Sequence, residues 1–136
     1  MKTQMSRAGQ VIVIRLDTGD DMLLCIREAV AQHGVANAVL LGAIGSVNQY
    51  HVHVVDTLEL PPRDVFLKGE EALDILSLNG VVMGGRAHAH VSFSGTRLTM
   101  GGHLEEGCRV LAFCQIMMLV LPDADLTGWD RMGHLA

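Results

Sequence analysis

Arg86-Ala87-His88-Ala89-His90-Val91-Ser92-Phe93-Ser94-Gly95-Thr96-Arg97-Leu98-Thr99-Met100-Gly101-Gly102-His103-Leu104 reads as two amphipathic strands joined by a tight turn. In the first half Ala87, Ala89, Val91 and Phe93 alternate with His88, His90, Ser92 and Ser94, the period of a strand that buries one face. The second half continues with reversed parity, Leu98, Met100, Gly102 and Leu104 against Arg97, Thr99, Gly101 and His103. Gly95-Thr96 is read as the turn, with Gly95 supplying the positive φ of a type II′ connection. That turn pairs Phe93 with Leu98, Val91 with Met100 and Ala89 with Gly102, so every apolar residue falls on one face. It also predicts His88 directly opposite His103.

Directly opposed residues hold their Cβ atoms about 4.5 to 5.5 Å apart, and His90 follows two residues along on the same face. Three neutral imidazoles so placed suit a divalent transition metal, zinc first, with His88, His90 and His103 as ligands. A fourth position left open would take water or a small anionic ligand, and Gly101, expected opposite His90, leaves room beside it. Glu105 or Glu106, just past His103, can orient a ring or hold a proton. Two other readings stand beside this one: a plain polar face that happens to carry histidines, and a pH-sensitive interface of stacked rings.

Outward from the hairpin, Val11-Ile12-Val13-Ile14 is expected to be a strand buried on both faces. A helix follows, capped by Asp20 or Thr18, with Leu23, Leu24, Ile26, Ala29 and Val30 as its apolar stripe and Gly34 as its stop. Ala38 to Leu41 reads as a strand ended by a turn at Gly42-Ala43-Ile44-Gly45-Ser46; lacking a Lys and a following helix, that segment makes only a weak anion cradle. Val47 to Val55 reads as a half-exposed strand with Gln49, His51 and His53 on its solvated side. A loop at Pro61-Pro62-Arg63-Asp64 precedes a strand from Leu73 to Leu78 closed by Asn79-Gly80. Arg109 to Leu121 is continuous enough in apolar residues for a central strand, and Pro122 ends it. Trp129 is expected to pack on the surface of the domain or on a neighbouring subunit. The predicted architecture is α+β (α/β): a mixed, mostly antiparallel sheet of about six or seven strands with one or two helices.

The 136 residues amount to one domain, 1–136. Aromatic residues are only 4% while apolar residues reach 49%, so the core rests on aliphatic side chains, with apolar surface left over for a subunit interface. Fifteen acidic against ten basic residues give a net charge of −5 with no two basic residues adjacent, which argues against gripping a phosphate backbone. The three cysteines, Cys25, Cys108 and Cys114, form no Cys-x-x-Cys pair; Cys108 reads as a small buried thiol, and a reducing cytoplasm is the expected setting. No signal peptide or membrane span is expected. Met117-Met118 reads as core or interface filler, and Ser92 and Ser94 lack the surroundings of a nucleophilic serine.

Leu73-Asp74-Ile75-Leu76-Ser77-Leu78-Asn79-Gly80, His88-Ala89-His90-Val91-Ser92-Phe93-Ser94 and Gly101-Gly102-His103-Leu104-Glu105-Glu106-Gly107-Cys108, with Gly42 to Val47 before them, together resemble the plant-and-prokaryote-conserved (PPC) domain. The resemblance covers nearly the whole chain and implies a stand-alone PPC-type fold assembled as a homotrimer, with His88, His90, His103 and Glu106 at the family's motif positions. Ala87 stands where the family usually has Pro, and the turn at Gly95-Thr96 lacks the acidic residues often found there. The family likeness also implies a regulatory, DNA-associated role, because plant members follow AT-hook segments; these residues contain no Arg-Gly-Arg-Pro core and no basic arm. The alternative from another class is a metal-dependent hydrolase or lyase that uses a metal-bound water, with Glu106 as its base.

Overall fold

The computed structural model describes residues 1–132. Seven elements follow one another: β1 (Val11–Asp17), α1 (Met22–Gln32), β2 (Asn37–Val55), β3 (Asp64–Met83), β4 (Arg86–Ser94), β5 (Thr99–Leu104) and β6 (Arg109–Val120). The strands form one six-stranded sheet in the order β1-β6-β2-β3-β4-β5. The expected α+β class holds, but every strand pairing among the described residues is antiparallel rather than mixed. β1 and β2, joined by α1, both run antiparallel to β6, which lies between them and keeps the two parallel strands out of contact.

The sheet also closes on itself. Near its C-terminal end β2 pairs with β5, Val52 with Leu104 and His53 with His103, so that β2, β3, β4 and β5 form a small barrel. Val52, Leu73, Leu78, Ala89, Val91, Phe93 and Leu104 are buried with the inner faces of these strands. α1 adds Met22, Leu23, Ile26 and Val30 to the same core. Its N-cap is Asp21, not Thr18 or Asp20: one carboxylate oxygen accepts from Leu24 N at 3.1 Å and the other from Gly107 N at 2.7 Å. A cap shared with a distant segment outweighs its two neighbours' equal local aptitude.

Several boundaries move. β1 buries only one face; Val11 and Val13 are 55% and 63% exposed. Leu24 on α1 is likewise exposed. No turn forms at Gly42–Ser46, because β2 runs through it with register shifts against β6; a Cβ at Gly45 would lie 2.1 Å from the Phe113 carbonyl oxygen. β3 continues past Asn79-Gly80 to a turn at Gly84-Gly85, whose φ values of 57° and 79° fit the two-residue hairpin connection that glycine favours. β6 is flanked on both sides as expected for a central strand, yet Leu111 and Phe113 are exposed on its outer face. No helix among the described residues is long and apolar enough to cross a membrane.

Candidate metal centre

Period-two alternation puts His88 and His90 on the outer face of β4, away from the barrel interior that takes Ala89, Val91 and Phe93. The register differs by two residues from the one expected. The turn centres on Thr96-Arg97, Gly95 N donates to Leu98 O, and His90 instead of His88 lies opposite His103. Gly101 accordingly faces Ser92. Gly95 does not adopt a positive φ, so the hairpin has no use for the expected type II′ geometry. A shift of two preserves parity, and the histidines stay on the outer face.

Barrel closure adds a fourth ring. His53 on β2 pairs with His103 on β5, which pairs with His90 on β4, so three imidazoles stand in one row across three strands. The His53 and His103 rings stack with centroids 4.3 Å apart and 20° between planes. His88 lies next to the row, its centroid 4.6 Å from that of His103, while the His88–His90 and His90–His103 separations are 5.5 and 5.7 Å. All three histidines singled out in the sequence therefore meet around His103.

The carboxylates around this cluster are specific in what they touch. Glu105 Oε1 lies 2.6 Å from His53 Nδ1 and 3.5 Å from His103 Nδ1, and Asp64 approaches His53 Nε2 at 3.8 Å. Asp130 Oδ2 lies 3.6 Å from His88 Nδ1. With Glu105 engaged by His53, His103 Nδ1 is buried and makes no hydrogen bond. Burial holds the His103 imidazole below its ordinary pKa, with His53 and His88 adding to the effect against an opposing Glu105. Burial, then His88 and His53, likewise lower His90. Both rings are thereby biased to the neutral form that ligates metals.

Among the described residues, His53, His103 and Glu105 form the group whose potential ligand atoms all lie within 4.8 Å of one another. Glu106 stands apart: its carboxylate pairs with Arg27 and its carbonyl oxygen lies 2.7 Å from His51 Nδ1. Sequence reasoning left His53 on a solvated face and did not identify Asp64 or Asp130. The strand parity of His53 was a usable signal, but nothing local announces the other two.

A pocket of about 370 Å³ borders the cluster, lined by Arg27, Arg86, His88, His103 and Asp130 together with Gly85 and Ala87.

The Plants and Prokaryotes Conserved (PCC) domain model matches residues 3–122. A metal-containing protein from Archaeoglobus fulgidus superposes with a TM-score of 0.79 at 30% identity, covering 89% of this chain and 86% of its own. A plant- and prokaryote-conserved protein from Pyrococcus horikoshii does so with a TM-score of 0.77 at 23% identity, over 92% and 87% of the two chains. Among curated sequences, the bifunctional protein GlmU of Synechococcus sp. strain JA-3-3Ab is 28% identical over 110 residues, 80% of this chain. The match spans only 17% of that relative's length.

Proposed function

The chain belongs to the Plants and Prokaryotes Conserved domain family, and from that premise we propose that it is a metal-binding module whose His88, His90 and His103 take up a divalent first-row transition ion, zinc first. The observation that carries this reading is the buried, unpartnered His103 Nδ1 at the centre of four packed imidazoles. A buried polar atom left without a partner costs about 1 to 3 kcal/mol. An ion drawing the cluster together gives that atom a role, because a ligating histidine turns its second nitrogen toward a carboxylate. Asp130 lies 3.6 Å from His88 Nδ1 and Glu105 3.5 Å from His103 Nδ1, within reach to close on those nitrogens once an ion takes Nε2 of each ring. His53 has a carboxylate near each of its nitrogens and acts by holding Glu105. The likeness to the A. fulgidus metal-containing protein supports the same reading.

Three protein ligands leave a position for water or a small anionic ligand, and a pocket lined by Arg27, Arg86 and Asp130 lies beside His88 and His103. The hydrolase or lyase alternative loses its base, since Arg27 holds the Glu106 carboxylate. A homotrimer agrees with the outer sheet face, where Val11, Leu119, Val39 and Val81 form one apolar row across four strands that ends on His88. Three free cysteines fit a cytoplasmic setting. A net charge of −5 gives duplex DNA little to hold.

Metal analysis of tag-free protein purified without chelator tests the proposal. Stoichiometric zinc, cobalt, nickel, manganese or iron is expected in the parent and in His53→Gln, with loss in His103→Ala and in the double variant His88→Ala/His90→Ala. A metal-free parent overturns it. Loss in His53→Gln with retention in the double variant moves the ion to the His53, His103 and Glu105 set.

A further inference from the structure

The segment after Val120 is tied down by a buried amide. Asn37, 7% exposed at the start of β2, donates from Nδ2 to Ala124 O at 2.8 Å. Its Oδ1 accepts from Leu126 N at 2.9 Å and from Gly84 N at 3.3 Å. One side chain therefore joins the C-terminal segment to the turn that leads into β4, and burial makes those bonds costly to lose. Gln4 adds a second clamp, bonding both the N–H and the carbonyl oxygen of Asp125. A turn from Leu126 to Trp129, closed by Trp129 N on Leu126 O at 3.0 Å, precedes Asp130.

This path delivers Asp130 to His88. The Asp130 side chain is 17% exposed, with Oδ2 3.6 Å from His88 Nδ1 and 3.9 Å from Arg86 Nη2. The residue lies outside residues 3–122, the stretch matched by the family model. A carboxylate at Nδ1 favours the proton on that nitrogen and frees the Nε2 lone pair for an ion.

We infer that Asp130 is a positioning residue for His88, held in place by the Asn37-anchored C-terminal segment, and that it sets the ring's tautomer and strengthens its grip on a divalent transition ion. The inference rests on the metal reading above. Outer carboxylate partners of this kind change metal affinity by about 10- to 100-fold.

Cobalt(II) affinity, measured by competition with a chromophoric chelator, is expected to fall by about that factor in Asp130→Asn and to recover in Asp130→Glu. Affinity of Asp130→Asn within about twofold of the parent, well below that factor, overturns the inference. Should the parent bind no cobalt, the metal reading fails, and long-range ¹H–¹⁵N spectra of the metal-free protein then decide the role of Asp130. His88 is expected as the Nδ1–H tautomer in the parent and as Nε2–H in Asp130→Asn. The same tautomer in both overturns the assignment.

Discussion

Replacing Gly102 by alanine should force apart the seam that brings His53 beside His103. The seam consists of two residue pairs, Val52 with Leu104 and His53 with His103. A Cβ on Gly102 would lie 2.5 Å from the His53 carbonyl oxygen and 3.0 Å from Val54 Cγ1, well inside van der Waals contact. The closest clash is with backbone, so no rotamer change relieves it and β5 must withdraw. Overpacking of this kind costs about 1 to 3 kcal/mol, and a lost ladder hydrogen bond adds about 1 kcal/mol. Alanine returns about 0.4 to 1 kcal/mol by narrowing the unfolded ensemble. The net loss is about 2 kcal/mol. With a urea m-value of about 1 to 3 kcal/mol/M, the midpoint followed by far-UV circular dichroism should fall by about 1 M at unchanged m. A midpoint within about 0.2 M of the parent would refute the idea that close backbone approach at Gly102 holds the barrel shut.

Burial pushes the thiols of Cys108 and Cys114 up to about 11, so at pH 8 only about a thousandth of each is thiolate. Cys25, less buried though also raised, should be the first thiol to react with a disulfide reagent in the native protein, and prompt labelling of Cys108 or Cys114 would contradict the packing. The lowered pKa values of His90 and His103 mean that the unfolded chain binds more protons than the folded one below the ordinary histidine value. Stability of the metal-free protein should therefore be full at pH 7 and decline as pH falls through about 6.5 toward those lowered values. Urea midpoints at pH 7 and pH 5 read this directly, and an equal slope in His90→Gln/His103→Gln would reject it. Ile44→Lys with Leu111→Lys places two charges on the exposed apolar sheet face and should lower the mass seen by light scattering, whereas an unchanged mass denies that face to an interface.

Short-range pattern settled a good deal. Strict alternation through Arg86–Ser94 and Thr99–Leu104 assigned both strands and sent His88, His90 and His103 to one face, because side-chain direction in a strand depends only on parity. The two-residue slip in register left that face intact, though it changed which histidine is opposed to His103. Gly34 as helix stop and Pro122 beyond β6 followed equally from local backbone chemistry.

Other features have no local determinant. Thr18, Asp20 and Asp21 are comparable caps until Gly107 arrives to share the carboxylate of Asp21. Glycines such as Gly45 and Gly80 signal a break in one dimension, but in the sheet these two admit neighbouring backbones, and β2 and β3 run through them for 19 and 20 residues. His53 joins the site only because β2 and β5, far apart in sequence, close the barrel. Asp130 reaches His88 across a gap in sequence that Asn37 and Gln4 bridge by bonding the returning chain. What the amino-acid sequence determined by itself was the chemistry on offer and the face each strand would show, both set by residue type and a period of two. The make-up of the histidine cluster, four imidazoles with Glu105 and Asp130 around them, was decided by tertiary structure, since pairing between distant segments depends on how the whole core packs and not on any neighbourhood along the chain.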